Sequence, residues 1–396
     1  MQHCTKTPLI YLGMLASFPL LTFDLFQPAL PTMTDYFNTN QSLGQLTLSI
    51  NLFFYGFAQL LWGPLIDHYG RRKILPISLF CFIFSTILCI VSQNIYMLLI
   101  GRALQGFFAC CANVLAFSST RDIHDSKQRA RTLSQIAMLL ALSPMLGPII
   151  GGFVFVYSNW QMTFILMIFF ALILYIVGTQ VIHESPNFRT KKNPINFVST
   201  FKKYAIVLKL PLVRHSMLMQ SASFSCIMVV VVNISYLLID DLGIKPEYFG
   251  YFFAFNGLTI IVGNSLGIKL RNIYSIIWNI RFGSIVMTTG GILLLGSSFL
   301  NGLSIITLSF ILIINIGCSL LNPPAISLAL NRMPQLSGTI TGIINTCRSS
   351  ISSLIASLVG SFVALHFMVL PIALMVLSII CLIAAFCLYR PGSDLP

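Results

Sequence analysis

The chain has 396 residues, 56% of them hydrophobic and 8% charged, with a mean hydropathy of +0.88 and a formal net charge of +13. So few charges cannot clothe an apolar core of that size in water, which excludes a soluble globular protein and places the chain in a bilayer. The basic excess is confined to one set of loops, so it is a topology signal and not a nucleic-acid footprint.

In chain order, twelve apolar segments separated by short polar breaks reach the length that crosses a hydrocarbon core. Their edges fall at about 7–30, 43–66, 74–93, 96–120, 132–156, 160–182, 213–239, 246–268, 275–299, 302–330, 336–363 and 367–390. The first is too long, and too polar at Asp24, Gln27 and Pro28, to be a cleavable signal peptide, and no small-residue cleavage site follows. One set of loops holds Arg71, Arg72 and Lys73; Arg121, Lys127, Arg129 and Arg131; the stretch from Arg189 to Arg214; Lys269 and Arg271; and Arg332. Lys6 and Arg390 mark the two ends on that side, whereas the opposite loops hold only Lys245 among Asp240, Asp241 and Glu247. Both termini are therefore expected in the cytoplasm, with the chain multi-pass in a cell inner membrane.

The long connector between spans six and seven places Ile195, Val198, Phe201, Ala205 and Leu208 at helical spacing beside Lys202, Lys203 and Lys209. That pattern fits a helix lying on the bilayer surface and equally a solvated basic linker. The expected fold is an all-α membrane protein of two pseudo-symmetric bundles. The first bundle runs to about residue 184, a linker with an amphipathic helix covers about 185–212, and the second bundle covers about 213–396. Ten cysteines without a Cys-x-x-Cys pair, adjacent Cys110 and Cys111 included, read as small packing residues. The scattered histidines imply no metal site, no Gly-rich phosphate loop is present, and no nucleophile–base pair stands out. No cofactor and no enzymatic activity are expected. The expected partners are a small-molecule substrate, protons and the lipid bilayer, with the chain acting as a monomer.

Chemistry falls to the few polar residues inside the spans. Of ten acidic residues only Asp24 lies well inside one, and Arg102 in span four sits at a matching depth. A pair between them is either a static tie between helices or a proton switch, in which Asp24 is charged when paired and takes up a proton when separated. Arg348 lies near the middle of span eleven beside Asn345, Thr346, Ser349 and Ser350. It either anchors an anionic or polar substrate or binds backbone carbonyls at a helix break. Amides at Asn51, Gln59, Gln105, Asn113, Gln220, Asn233, Asn256, Asn315 and Asn322 either line a wet cavity or join helices. Phe53, Phe54, Tyr55, Tyr236, Phe252 and Phe255 are candidate apolar walls of such a cavity.

After span two comes GPLIDHYGRRKIL, residues 63–75. It resembles the loop signature of the major facilitator superfamily at Gly63, Leu65, Asp67, Gly70, Arg71, Arg72 and Leu75, with His68 in place of the usual Arg. The resemblance implies a cytoplasmic gate in which Asp67 lies near the start of helix eleven, around Gly338, and one arginine pairs with Asp122. Span four carries RALQG, residues 102–106, similar to the family's proton-handling motif. Span five carries SPMLGPIIGG, residues 143–152, similar to its antiporter signature through Pro144, Gly147, Pro148, Gly151 and Gly152. Gly147 and Gly151 form a small-residue face, for which Gly263 and Gly267 in span eight offer a match.

FDLFQPALP at 23–31, the Arg121–Asp122 pair and NWQMTF at 159–164 narrow the resemblance to the Bcr/CflA drug-resistance subfamily of proton antiporters. It implies proton-driven export of amphipathic compounds, with Asp24 as proton site and Arg102 as its partner. Some relatives carry a second acid where this chain has Ala16, which leaves one candidate proton carrier. Beside the exporter stand a permease or exporter of an anionic small molecule, such as a carboxylate siderophore or organic acid, and a transport-inactive membrane sensor.

Overall fold

Polar punctuation starts the helices. The side chains of Asn40, Asn94, Asn159 and Ser275 each accept a hydrogen bond from the backbone N–H three residues on, at 2.9–3.2 Å, satisfying donors that a helix start leaves open. The computed structural model describes residues 8–123, 125–184, 197–332 and 337–387. Lys6, Arg189, Ile195 and Arg390, invoked above, lie outside them. The helices are α1 Leu9–Asp24, α2 Leu30–Tyr36, α3 Gln41–Tyr69, α4 Arg71–Ile90, α5 Ile95–Ser119, α6 Ser126–Tyr157, α7 Trp160–Val181 and α8 Phe197–Leu208. They continue as α9 Pro211–Tyr236, α10 Pro246–Ile273, α11 Ile276–Asn301, α12 Ile305–Ser309, α13 Ile311–Arg332, α14 Ser337–Val363 and α15 Val369–Cys387.

Among the described residues, twelve helical segments are long and apolar enough to cross a membrane. The first is longer than the sequence predicts, running from Leu9 to Tyr36 through a 3₁₀ turn at Gln27–Ala29. Pro28 and Pro31 fall in first turns, where a missing N–H costs nothing, so they bend the span without ending it.

The described helices form two compact units, residues 1–197 with 243–254 and residues 198–242 with 255–396. In the first, α3 and α4 lie on α5, α1 lies on α6, and α4 lies on α7. Close approach of α3 and α5 rests on Gly106, where an added methyl would collide with the carbonyl of Asn51. The start of α10 joins this unit because Gly250 abuts the backbone of Ile149. In the second unit, α11 packs on α13 and α15, and α9 packs on α14, α15 and α13.

The connector differs from a free linker. Val207 of α8 is fully buried in a cluster with Val213, Ala329, Ile340, Ile343 and Ile344, while Lys202 and Lys209 stay exposed. Val207, with Tyr204 and Leu208 beside it, seats α8 on the ends of α9, α13 and α14, whereas Ala205 of the expected stripe is exposed, and the division between units falls after Phe197, the first residue of this helix. The side chains of Val198, Phe201 and Lys203 lie outside the described residues.

Candidate functional site

Asp24 is the last residue of α1 and is 4% exposed. Its Oδ1 accepts a hydrogen bond of 2.6 Å from Gln27 Nε2, a partner brought round by the 3₁₀ turn. Its Oδ2 is buried with no hydrogen-bond partner. The antiporter-like segment of α6 supports this turn: a methyl at Gly147 would lie 2.7 Å from Asp24 Cβ, and one at Gly151 would collide with the Leu25 carbonyl. Gly152 approaches the carbonyl of Pro246, and Pro144 and Pro148 lie within the same helix. Gly147 and Gly151 therefore serve the break in span one. Gly263 packs on Ile316 and Ser319 of α13, so the expected match between the two glycine faces is replaced by packing inside each unit.

Arg102 is fully buried on α5. Its Nη1 donates to Gln105 Oε1 at 2.9 Å and its Nε to the Thr47 carbonyl at 3.4 Å. Its Cζ lies 4.9 Å from the Phe26 ring centroid and 5.9 Å from that of Phe164, and Nη2 has no hydrogen-bond partner. Gln105 passes the chain on to Thr86 Oγ1 at 2.8 Å, and Asn51 donates to the Arg102 carbonyl at 2.9 Å.

The expected Asp24–Arg102 ion pair does not form: Asp24 is taken by Gln27, and Arg102 by Gln105 and the Thr47 carbonyl. The reason is local. The 3₁₀ turn offers Asp24 an amide donor three residues away, while the guanidinium is held by Gln105, a helix carbonyl and two aromatic faces. Each group keeps one unsatisfied polar atom in a region closed to water, a costly state that a proton, a water or a substrate group would relieve. Phe26, whose ring lies against the Arg102 guanidinium, is two residues beyond Asp24 in the chain.

The loop motif forms a second cluster. Gly70 has φ +87°, a conformation that favours glycine, and ends α3 so that α4 starts at once. Arg71 Nη1 pairs with Asp122 Oδ2 and Nη2 donates to the Ser118 carbonyl at 3.0 Å. The carboxylate of Glu184, which sequence reasoning missed, accepts from the backbone N–H of Arg71 at 2.9 Å and of Arg72 at 2.8 Å. An anion there suits the positive end of α4. Only its position, an acid at the foot of span six, could have pointed to it. Gly63 faces open space, and Asp67, Arg72 and Arg121 are exposed.

The remaining candidates divide between the two units. Tyr55 is half-buried on α3, one helical turn from Asn51. In the second unit Arg348 lies with Cζ 4.5 Å from the Phe224 ring centroid, and Asn345 is half-buried one turn earlier on α14. Asn256 accepts from Asn315 Nδ2 at 2.6 Å, a tie between α10 and α13. Asn233 donates to the Val229 carbonyl at 2.7 Å, and Tyr236 is buried near it at the end of α9.

A family model described as Major Facilitator Superfamily matches residues 12–357. An uncharacterized MFS-type transporter of Bacillus subtilis is 27% identical over 88% of this chain and 87% of its own. A bicyclomycin resistance protein homolog of Haemophilus influenzae is 24% identical over 91% of this chain and 90% of its own. Among solved structures, a D-xylose-proton symporter superposes with a TM-score of 0.75 at 14% identity, covering 96% of this chain and 97% of that one.

Proposed function

The chain belongs to the major facilitator superfamily, and from that premise we propose that it is a proton-coupled secondary transporter exporting amphipathic drug-like compounds or metabolites by alternating access. One observation carries the reading: the buried Asp24 carboxylate, half-partnered by Gln27, at a break in span one against the glycine face of α6. A transporter needs an acid whose hold on a proton changes with conformation. In this reading, a rearrangement of the turn exchanges the Gln27 amide for the spare Nη2 of Arg102, and each arrangement favours a different protonation state of the acid. Arg102 supplies the fixed countercharge. The resemblance of span one, and a relative named for bicyclomycin resistance, support export of a drug-like cargo.

The test is reconstitution of wild type and Asp24→Asn in liposomes, with bicyclomycin flux measured with and without an inward proton gradient. Gradient-dependent flux in the wild type that drops to the gradient-free level in Asp24→Asn is expected. Equal flux in both proteins would remove Asp24 as the proton site.

A second reading, transport of an anionic small molecule such as a carboxylate siderophore or organic acid, is favoured by Arg348. This cation lies about 16 Å into α14, with its Cζ 4.5 Å from the Phe224 ring centroid. Selective loss of carboxyfluorescein flux in Arg348→Ala would establish it. Wild type moving neither probe would leave the transport-inactive sensor.

A further inference from the structure

Arg281 is a half-buried cation of the second unit. It lies in the first turns of α11, five residues past the helix start at Ile276, at the end that the Lys and Arg distribution assigns to the cytoplasmic leaflet. Its Cζ is 5.0 Å from the ring centroid of Phe386, the penultimate residue of α15. Its Nε is shut off from solvent and has no hydrogen-bond partner. A guanidinium stacked by its face on a ring keeps its N–H groups in plane, where they match the oxygens of a phosphate.

Beside it runs an aromatic ladder. Tyr274 stacks on Trp278 at 4.1 Å and 18°, and Trp278 stacks on Phe282 at 4.9 Å and 14°. Tyr274 is 46% and Trp278 37% exposed, so the ladder faces the surroundings of the unit. Arg281 is three residues from Trp278 on α11, hence on nearly the same helix face, and Tyr274 lies just ahead of that helix. Helical side chains lean toward the N-terminus, which carries the guanidinium back toward the membrane surface. The ladder starts at Tyr274, just ahead of α11, and ends at Phe282, about 9 Å along the helix.

We propose that Arg281, Phe386 and the Tyr274–Trp278–Phe282 ladder form a binding site for an anionic phospholipid, its phosphate on the guanidinium and its glycerol and upper acyl carbons against the rings. The cation at headgroup depth supplies recognition. The aromatic rings beside it, at the depth where Tyr and Trp settle against the bilayer surface, favour a lipid over a free phosphate, which has nothing to place against them. The proposal stands apart from the transport reading and survives its failure.

Trp278 provides the readout. The full chain is reconstituted in phosphatidylcholine vesicles containing increasing mole fractions of brominated phosphatidylglycerol or brominated phosphatidylcholine, and tryptophan quenching is recorded. The Trp278 contribution is taken as wild type minus Trp278→Phe. Half-maximal quenching of Trp278 is expected at about a five-fold lower fraction of the anionic lipid, the effect of one basic residue near a charged surface. Arg281→Gln should abolish that preference while leaving quenching by brominated phosphatidylcholine unchanged, and Arg281→Lys should retain part of it. Inorganic phosphate added to the vesicles should not relieve the quenching. Equal quenching by the two lipids in wild type, an unchanged preference in Arg281→Gln, or displacement by inorganic phosphate would each overturn the proposal.

Discussion

Glu184 and Gly70 meet at the foot of α4, and each makes sense only beside the other. A carboxylate held by two consecutive peptide N–H groups needs the chain to turn sharply into the helix, and the positive φ of Gly70 provides that turn. A side chain at Gly70 would also strike the carboxylate, whose Oε1 lies 2.5 Å from where a Cβ would stand. Glu184→Ala removes both bonds and should cost about 1–2 kcal/mol, in the range of lost helix caps. The expected outcome is a lower thermal midpoint of the purified protein in detergent. An unchanged midpoint would mean that water replaces the carboxylate at no cost. The sequence pointed to the neighbouring Arg71–Asp122 pair because a known motif names it. Glu184 lies 112 residues from Arg72 and belongs to no motif, so nothing local marked the contact.

At the scale of elements, α6 explains why its glycines stand where they do. Its face from Gly147 to Gly151 touches the backbone of span one at Asp24 and Leu25, so their spacing measures how closely two helices approach. Gly151→Ala must push α6 off the Leu25 carbonyl and should lower both the thermal midpoint and the flux. Gly63→Ala, in a helix and facing open space, should leave the midpoint unchanged or raise it. Equal loss of stability in the two variants would contradict the packing described here. The sequence showed that a small-residue face exists but not its partner: Gly-x-x-x-Gly fixes a surface, and only the fold decides which helix meets it. The same limit accounts for Asp24 and Arg102. Matched depth along two helices brought them into one layer, whereas side-chain direction and the 3₁₀ turn, invisible to a depth count, gave them different partners.

For the whole molecule, the twelve spans were legible because hydrocarbon thickness sets their length, and because Asn and Ser caps open several of them. The end of the first span was not, since Pro28 and Pro31 read as terminators until they are seen to occupy first turns. The seating of α8 depends on Val207 meeting Ile340 and Ile344, residues far along the chain. The basic loops make a prediction at this scale: green fluorescent protein fused to the C-terminus should fluoresce and alkaline phosphatase in its place should stay inactive, as cytoplasmic ends require. The opposite pattern would invert every assignment of inside and outside made here. The foot of α4 also bears on how such a molecule meets a changing milieu. Because the Arg71 side chain is 10% exposed and that of Asp122 25%, counterions have little access to their contact, and added salt should loosen it less than a pair on open surface. Spans three, four and six are thereby fastened by a keel that swings in ionic strength barely reach.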